Sequence, residues 1–172
     1  VTPNGELWGA AGFGTLRRFD GTTWTSYGAS AAQNLFAIHG SASNEAWAAG
    51  ESGLLVHWNG VTWTPLQNQA PDSVLAIGSM DGTTLHSIGA SGAVRQRISG
   101  VWHKIDGGPG FSVTSAWIGT GEIWAVSGNL LLRFAVVPPK TSPRWTVYNL
   151  APYNLTAVGR RSYDPSGAKI DA

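Results

Sequence analysis

The chain has no cysteine among its 172 residues, which excludes disulfides and thiolate metal sites. Charge is scarce as well: 11 basic and 10 acidic residues leave a net charge of +1, too weak a field to draw nucleic acid. No apolar run approaches the roughly 20 residues that a membrane-spanning helix needs, and no charged-then-apolar signal segment opens the sequence. No window sustains a 3.6-residue apolar period, so almost no helix is expected. Glycine (23) and tryptophan (9) are abundant instead, a composition suited to tight turns and many short strands.

Those tryptophans recur at a fixed interval. The segment AWAAGESGLLVHWNGVTW, Ala46 to Trp63, has a degenerate copy 39 positions earlier, LWGAAGFGTLRRFDGTTW, Leu7 to Trp24. A third copy, LHSIGASGAVRQRISGVW, runs from Leu85 to Trp102, with His86 in place of the first tryptophan. A fourth, IWAVSGNLLLRF, runs from Ile123 to Phe134, and its closing Trp145 is delayed by AVVPPKTSP, Ala135 to Pro143. That stretch reads as an inserted loop, since proline cannot donate to a strand ladder. Between the copies lies a second repeated element: NLFAI (Asn34 to Ile38), SVLAI (Ser73 to Ile77), SVTSAWI (Ser112 to Ile118) and NLTAV (Asn154 to Val158).

A period near 40 residues signals a repeat architecture. Each unit reads as four short strands, typified by NLFAI, EAWAAG (Glu45 to Gly50), GLLVHW (Gly53 to Trp58) and VTWTPL (Val61 to Leu66). Asp20-Gly21, Asn59-Gly60 and Ser99-Gly100 predict two-residue type I′ turns between the third and fourth strands. A four-stranded antiparallel meander at this period is a β-propeller blade. The fold expected is therefore all-β, a β-propeller of four blades with four antiparallel strands each. The ring is expected to close by pairing of the terminal strands, Asn154 to Val158 completing the sheet begun by Glu6 to Gly12. Residues 1–159 would form this single domain and residues 160–172 an extended C-terminal tail.

The pattern W-A-x-G-x-x-G-x-L-x-H-x-(D/N)-G-x-x-W, seen from Trp47 to Trp63, resembles tryptophan-rich propeller repeats of secreted and cell-surface proteins in myxobacteria and related soil bacteria. Asp20-Gly21-Thr22-Thr23-Trp24 is also similar to the Asp-box turn of sialidase-type propellers, although Arg18 stands where that motif has serine. A fainter similarity links the repeats to tectonin-type lectins. The resemblance implies an extracellular or cell-surface, secreted bacterial protein.

Two tryptophan columns, Trp8, Trp47 and Trp124, then Trp24, Trp63, Trp102 and Trp145, are expected to fill the wedges between blades. Beside them runs a polar third-strand column, Arg18, His57, Gln96 and Arg133, two positions after the apolar Leu16, Leu55, Val94 and Leu131. Polar side chains next to aromatic rings suit a sugar, so these four are candidate ligand-binding residues. The plainer explanation is a solvated outer strand. Trp58 and Trp117, outside both columns, and His86, which interrupts one, are the remaining candidates.

Catalysis finds little support. A sialidase-like hydrolase needs clustered arginines, a tyrosine nucleophile with its glutamate, and an acid. The arginines are scattered through Arg17, Arg18, Arg95, Arg97, Arg133, Arg144, Arg160 and Arg161, and Glu6, Glu45 and Glu122 recur at one repeat position, as a turn or edge feature would. The four histidines, His39, His57, His86 and His103, lack close metal-ligand spacing, and Asp81-Gly82 reads as an Asx turn. No catalytic residue, metal or cofactor is expected. The reading is a non-enzymatic extracellular binding or scaffold module for a glycan or protein partner. A sialidase-like glycoside hydrolase and a structural subunit of a surface assembly are the alternatives, with homo-oligomers left open.

Overall fold

A computed structural model describes residues 5–28, 32–66, 70–135 and 145–159. Among them are fifteen strands: β1 (Leu7–Ala10), β2 (Thr15–Phe19), β3 (Trp24–Gly28), β4 (Leu35–Ala42), β5 (Glu45–Gly50), β6 (Leu55–Trp58), β7 (Trp63–Leu66), β8 (Val74–Ser79), β9 (Leu85–Gly89), β10 (Val94–Ile98), β11 (Val101–Asp106), β12 (Ser115–Gly119), β13 (Glu122–Ser127), β14 (Leu130–Ala135) and β15 (Trp145–Asn149). Among the described residues the one helical element is a 3-10 turn at Glu51–Gly53. The strands pair antiparallel with their chain neighbours into four sheets, β1–β3, β4–β7, β8–β11 and β12–β15. These are the blades, numbered 1 to 4, and the fold is a β-propeller.

Inner strands of successive blades lie side by side, β4 against β8 and β8 against β12, with β1 beside β4. Each interior sheet is therefore sandwiched, and its strands bury both faces. In β5, Ala46 and Ala48 point to blade 1 and pack with Val56, Trp58 and Trp63 against Trp8, Ala10, Leu16 and Tyr27. From the other face, Trp47, Ala49 and Leu55 meet Val74, Ile77, Leu85 and Trp102 of blade 3. Ile88 and Val94 repeat the arrangement against Ile123, Ala125, Leu132 and Phe134 of blade 4. Trp8, Trp47, Trp63, Trp102 and Trp145 thus pack the wedges as expected, whereas Trp24 is half-exposed and Trp124 stacks on Tyr148 of its own blade. Trp8 meets Trp63 edge-on at 5.2 Å, and Trp47 meets Trp102 at 6.3 Å.

The third-to-fourth-strand hairpins differ from the expected turns. Among the described residues, blade 3 alone forms the two-residue type, with Ser99 and Gly100 at φ 49° and 86° and Ile98 paired to Val101. In blades 1 and 2 the ladders end at Phe19–Trp24 and Trp58–Trp63. Asp20 Oδ1 instead accepts from the amides of Thr22 and Thr23, and Asn59 Oδ1 from those of Val61 and Thr62. Each side chain folds onto its own loop, which relieves the first residue of the positive φ that a type I′ turn demands.

Ring closure by residues 154–158 is not formed among the described residues. Blade 1 holds three strands, and residues 152–159 carry no strand. The amide of Leu155 donates to Gly128 O of blade 4 at 2.8 Å, as the amide of Leu35 does to Ala11 O and that of Val113 to Ala90 O. The segment therefore leaves blade 4 as β4 leaves blade 1. The predicted insertion beyond Ala135, Arg144, Arg160, Arg161 and the tail 160–172 lie outside the described residues.

Candidate functional site

The polar column does not form a free ring of ligand donors. Antiparallel register sets Trp8 opposite Arg18, Trp47 opposite His57, and Trp124 opposite Arg133, while a glutamate stands two residues before each tryptophan. Positions i and i+2 share one face of a strand, so the glutamate, the indole and the opposite cation converge. In blade 4, Glu122 accepts from Trp124 Nε1 at 2.8 Å and from Arg133 Nε at 2.7 Å. In blade 2, Glu45 accepts from Trp47 Nε1 at 2.7 Å and lies 2.9 Å from His57 Nε2, whose ring stacks on Trp47 at 4.3 Å. Arg18 pairs with Glu6 in blade 1, its guanidinium 5.6 Å from the Trp8 ring centroid.

Electrostatics follow that geometry. The Trp124 indole N–H, then Arg133, hold the Glu122 carboxyl below its ordinary value. The same pairing raises Arg133, and Glu6 raises Arg18. Arg18, His57 and Arg133 are thus occupied within their own blades. The recurring glutamates carried the signal in the sequence, but the strand register that pairs them with the third strand did not show there.

Blade 3 breaks the pattern with Thr84, His86 and Gln96 at the equivalent positions. His86 is 2 % exposed, so it is core rather than a surface ligand residue. Its Nδ1–H donates to Thr84 O at 2.9 Å, and burial holds its pKa below the usual histidine value. Trp58 is likewise 2 % exposed; it pairs with Trp63 and donates Nε1–H to Ser43 O, which removes it as a sugar platform. Asp81 forms the expected Asx turn, accepting from the amides of Thr83 and Thr84, and its pKa is lowered, first by the Thr84 amide.

Two concavities stand out among the described residues. A shallow groove of about 360 Å³ runs across the inner strands β4, β8 and β12, lined by Phe36, Ile38, Leu75, Ile77 and Trp117, with Phe36 48 % exposed. Trp117 is half-buried, its ring folded over Gly119, where a Cβ would collide with it. At His39 the groove meets a second cavity of about 170 Å³ between blades 2 and 3, whose lining includes Ser41, Glu45, Ser79, Thr83 and Arg97. Arg97 stacks over Trp47 at 4.7 Å and, among the described residues, has no carboxylate partner. Sequence reasoning missed Phe36 and His39, because exposure along an inner strand depends on how the sheets are arranged around the axis, and Arg97, because its stacking on Trp47 is made across the junction of blades 2 and 3. Among the described residues no helix is long and apolar enough to cross a membrane.

These sheets define a class, the β-propellers, and solved structures agree. The chain is similar to YCF48 from Cyanidioschyzon merolae (TM-score 0.72, 18% identity), covering 92% of this chain and 56% of that one. It is similar to a structure of YCF48 bound to D1 peptide (TM-score 0.68, 19% identity; 85% and 51% covered). A third is the computationally designed Ika8 protein (TM-score 0.67, 13% identity; 91% and 50%). The chain spans about half the length of each of these structures. No protein-family model and no curated protein matches the sequence.

Proposed function

We propose that the chain is a non-enzymatic protein-binding module, acting outside the cytoplasm, that receives an extended peptide along the groove of β4, β8 and β12. The carrying observation is the apolar wall of exposed Phe36 and half-buried Leu75 and Trp117 that leads, at His39, into a cavity holding an arginine with no carboxylate partner among the described residues. A rigid concave surface with apolar walls and one convergent cation suits a peptide with apolar side chains followed by a carboxylate. That a similar propeller has been solved bound to a D1 peptide supports the same reading. The extracellular setting rests on the resemblance of the tryptophan repeats.

An array of octapeptides with varied apolar and acidic positions tests it. Binders are expected at micromolar affinity, weakened at least tenfold by Phe36→Ser and by Arg97→Gln. Binding that neither variant alters, or no binding at all, would overturn the proposal. A glycan is the second reading, favoured by the half-buried face of Trp117 in the groove and the hydroxyls of Ser41, Ser79 and Thr83 in the cavity that adjoins it at His39. A glycan array that lights up where the peptides stay silent, and goes dark in Trp117→Ala, would favour it.

A further inference from the structure

We infer that the cavity between blades 2 and 3 is an acid pocket: it takes the carboxylate of an aspartate or glutamate side chain, and it exists because Arg97 stands where the other blades have an aromatic wedge. That a docked peptide carries the acid rests on the reading above; the pocket itself stands on three observations of its own.

The first is a break in the repeat. Phe19, Trp58 and Phe134 hold one third-strand position, and each pairs across its hairpin with the fourth-strand tryptophan, Trp24, Trp63 or Trp145. Their ring centroids lie 5.1, 5.6 and 5.2 Å apart. Blade 3 places Arg97 at that position, opposite Trp102. At the junction of blades 1 and 2, Trp58 is buried and lies 5.5 Å from Trp8. At the junction of blades 2 and 3 the Arg97 guanidinium takes the corresponding place, 4.7 Å from the centroid of Trp47. A guanidinium on a slender stem fills less of a wedge than an indole does, and the cavity of about 170 Å³ opens beside it.

The second is a cation whose usual partner is missing. Glu6, Glu45 and Glu122 each supply a carboxylate to the third strand of their own blade, whereas Thr84 holds that position in blade 3. Among the described residues Arg97 enters no ion pair, and its Nε is buried without a hydrogen-bond partner. The nearby carboxylates are engaged elsewhere. Glu45, which also lines the cavity, accepts from Trp47 Nε1 and lies 2.9 Å from His57 Nε2. Asp81 accepts from the hydroxyls of Ser79 and Thr83 within its own turn. A buried donor left unbonded costs free energy, which a carboxylate set against the planar guanidinium recovers.

The third is size. At about 170 Å³ the cavity holds under half the volume of the adjoining groove, about 360 Å³, and falls below the roughly 300 Å³ at which whole-ligand pockets begin. It admits one side chain, and it meets the groove at His39, where a docked segment would turn that side chain in.

Nuclear magnetic resonance of the Trp47 indole N–H, directly beneath Arg97, tests the pocket with acetate as the probe and acetamide as its neutral isostere, at constant ionic strength. Acetate is expected to shift the resonance saturably and acetamide to leave it in place. Arg97→Trp, which restores the repeat residue, should abolish the shift and raise the thermal midpoint by filling the cavity. Arg97→Gln should abolish the shift without that gain. In the peptide array, wild type should prefer a glutamate-containing octapeptide over its glutamine counterpart by about tenfold, and Arg97→Trp should bind the two alike. No saturable shift with acetate, or an equal shift with acetamide, would overturn the acid pocket even if peptides bind through Phe36. A saturable acetate shift with a silent peptide array would uphold the pocket and overturn the peptide as its carrier.

Discussion

Blades 1 and 2 are built from nearly the same motif, yet they are buried differently. Second-strand residues Ala46 to Gly50 are all buried in blade 2, while Leu7 to Ala10 of blade 1 are exposed or half-buried. Fourth-strand Trp63 is 7 % exposed and its counterpart Trp24 50 %. The motif specifies the sheet; a neighbour on each side makes that sheet a core. The polar clusters run the other way. Glu6 and Arg18 of blade 1 have side chains 9% and 25% exposed, against 39% and 28% for Glu45 and His57 of blade 2.

The largest contrast belongs to the tryptophans. Trp47→Ala should cost about 3–5 kcal/mol, because it empties a fully buried site between blades 2 and 3. Trp24→Ala should cost under about 1 kcal/mol in the monomeric chain, as expected for a half-exposed ring. Urea unfolding of both variants checks the pair, and equal losses would break the comparison. A smaller effect, of opposite sense, comes from the carboxylates. Glu6→Ala should destabilise by about 1–2 kcal/mol by stripping Arg18 of its charged partner, and Glu45→Ala by less than about 1 kcal/mol at its more exposed pair.

The smallest effect is in pH. Burial holds His39 of blade 2 below the usual histidine pKa. The unfolded chain then binds the proton more readily than the folded one, so stability is full above the ordinary histidine range and falls as pH drops through it. Blade 1 has no histidine. His39→Gln should therefore flatten the decline in thermal midpoint between neutral pH and pH 5, leaving the share from His86 in blade 3, whose pKa is lowered by burial in the same way.

The repeat and the blade were legible because the tryptophans sit at one period, and a four-stranded meander at that period has few architectures available. The site was less legible. Arg18, His57 and Arg133 stood out as a column, but their partners are fixed by cross-strand register, which places residues 11 or 12 apart in sequence beside each other. His86 and Trp58 looked like exceptions and proved to be core, because a sheet with neighbours on both faces has no outward side at those positions. Closure depended on the angle between blades, which no single motif encodes; Leu155 takes the inner-strand contact expected of it while the partner edge stays elsewhere.

The amide bonds by which the chain leaves blades 1, 3 and 4, Leu35 to Ala11 O, Val113 to Ala90 O and Leu155 to Gly128 O, tie each exit to the blade before it, so the blades form a one-dimensional array. Every sheet depends on its immediate neighbours and on nothing further away. Among the described residues β4–β7 and β8–β11 have a packed sheet on each face, so proteolysis and amide exchange would reach these two last.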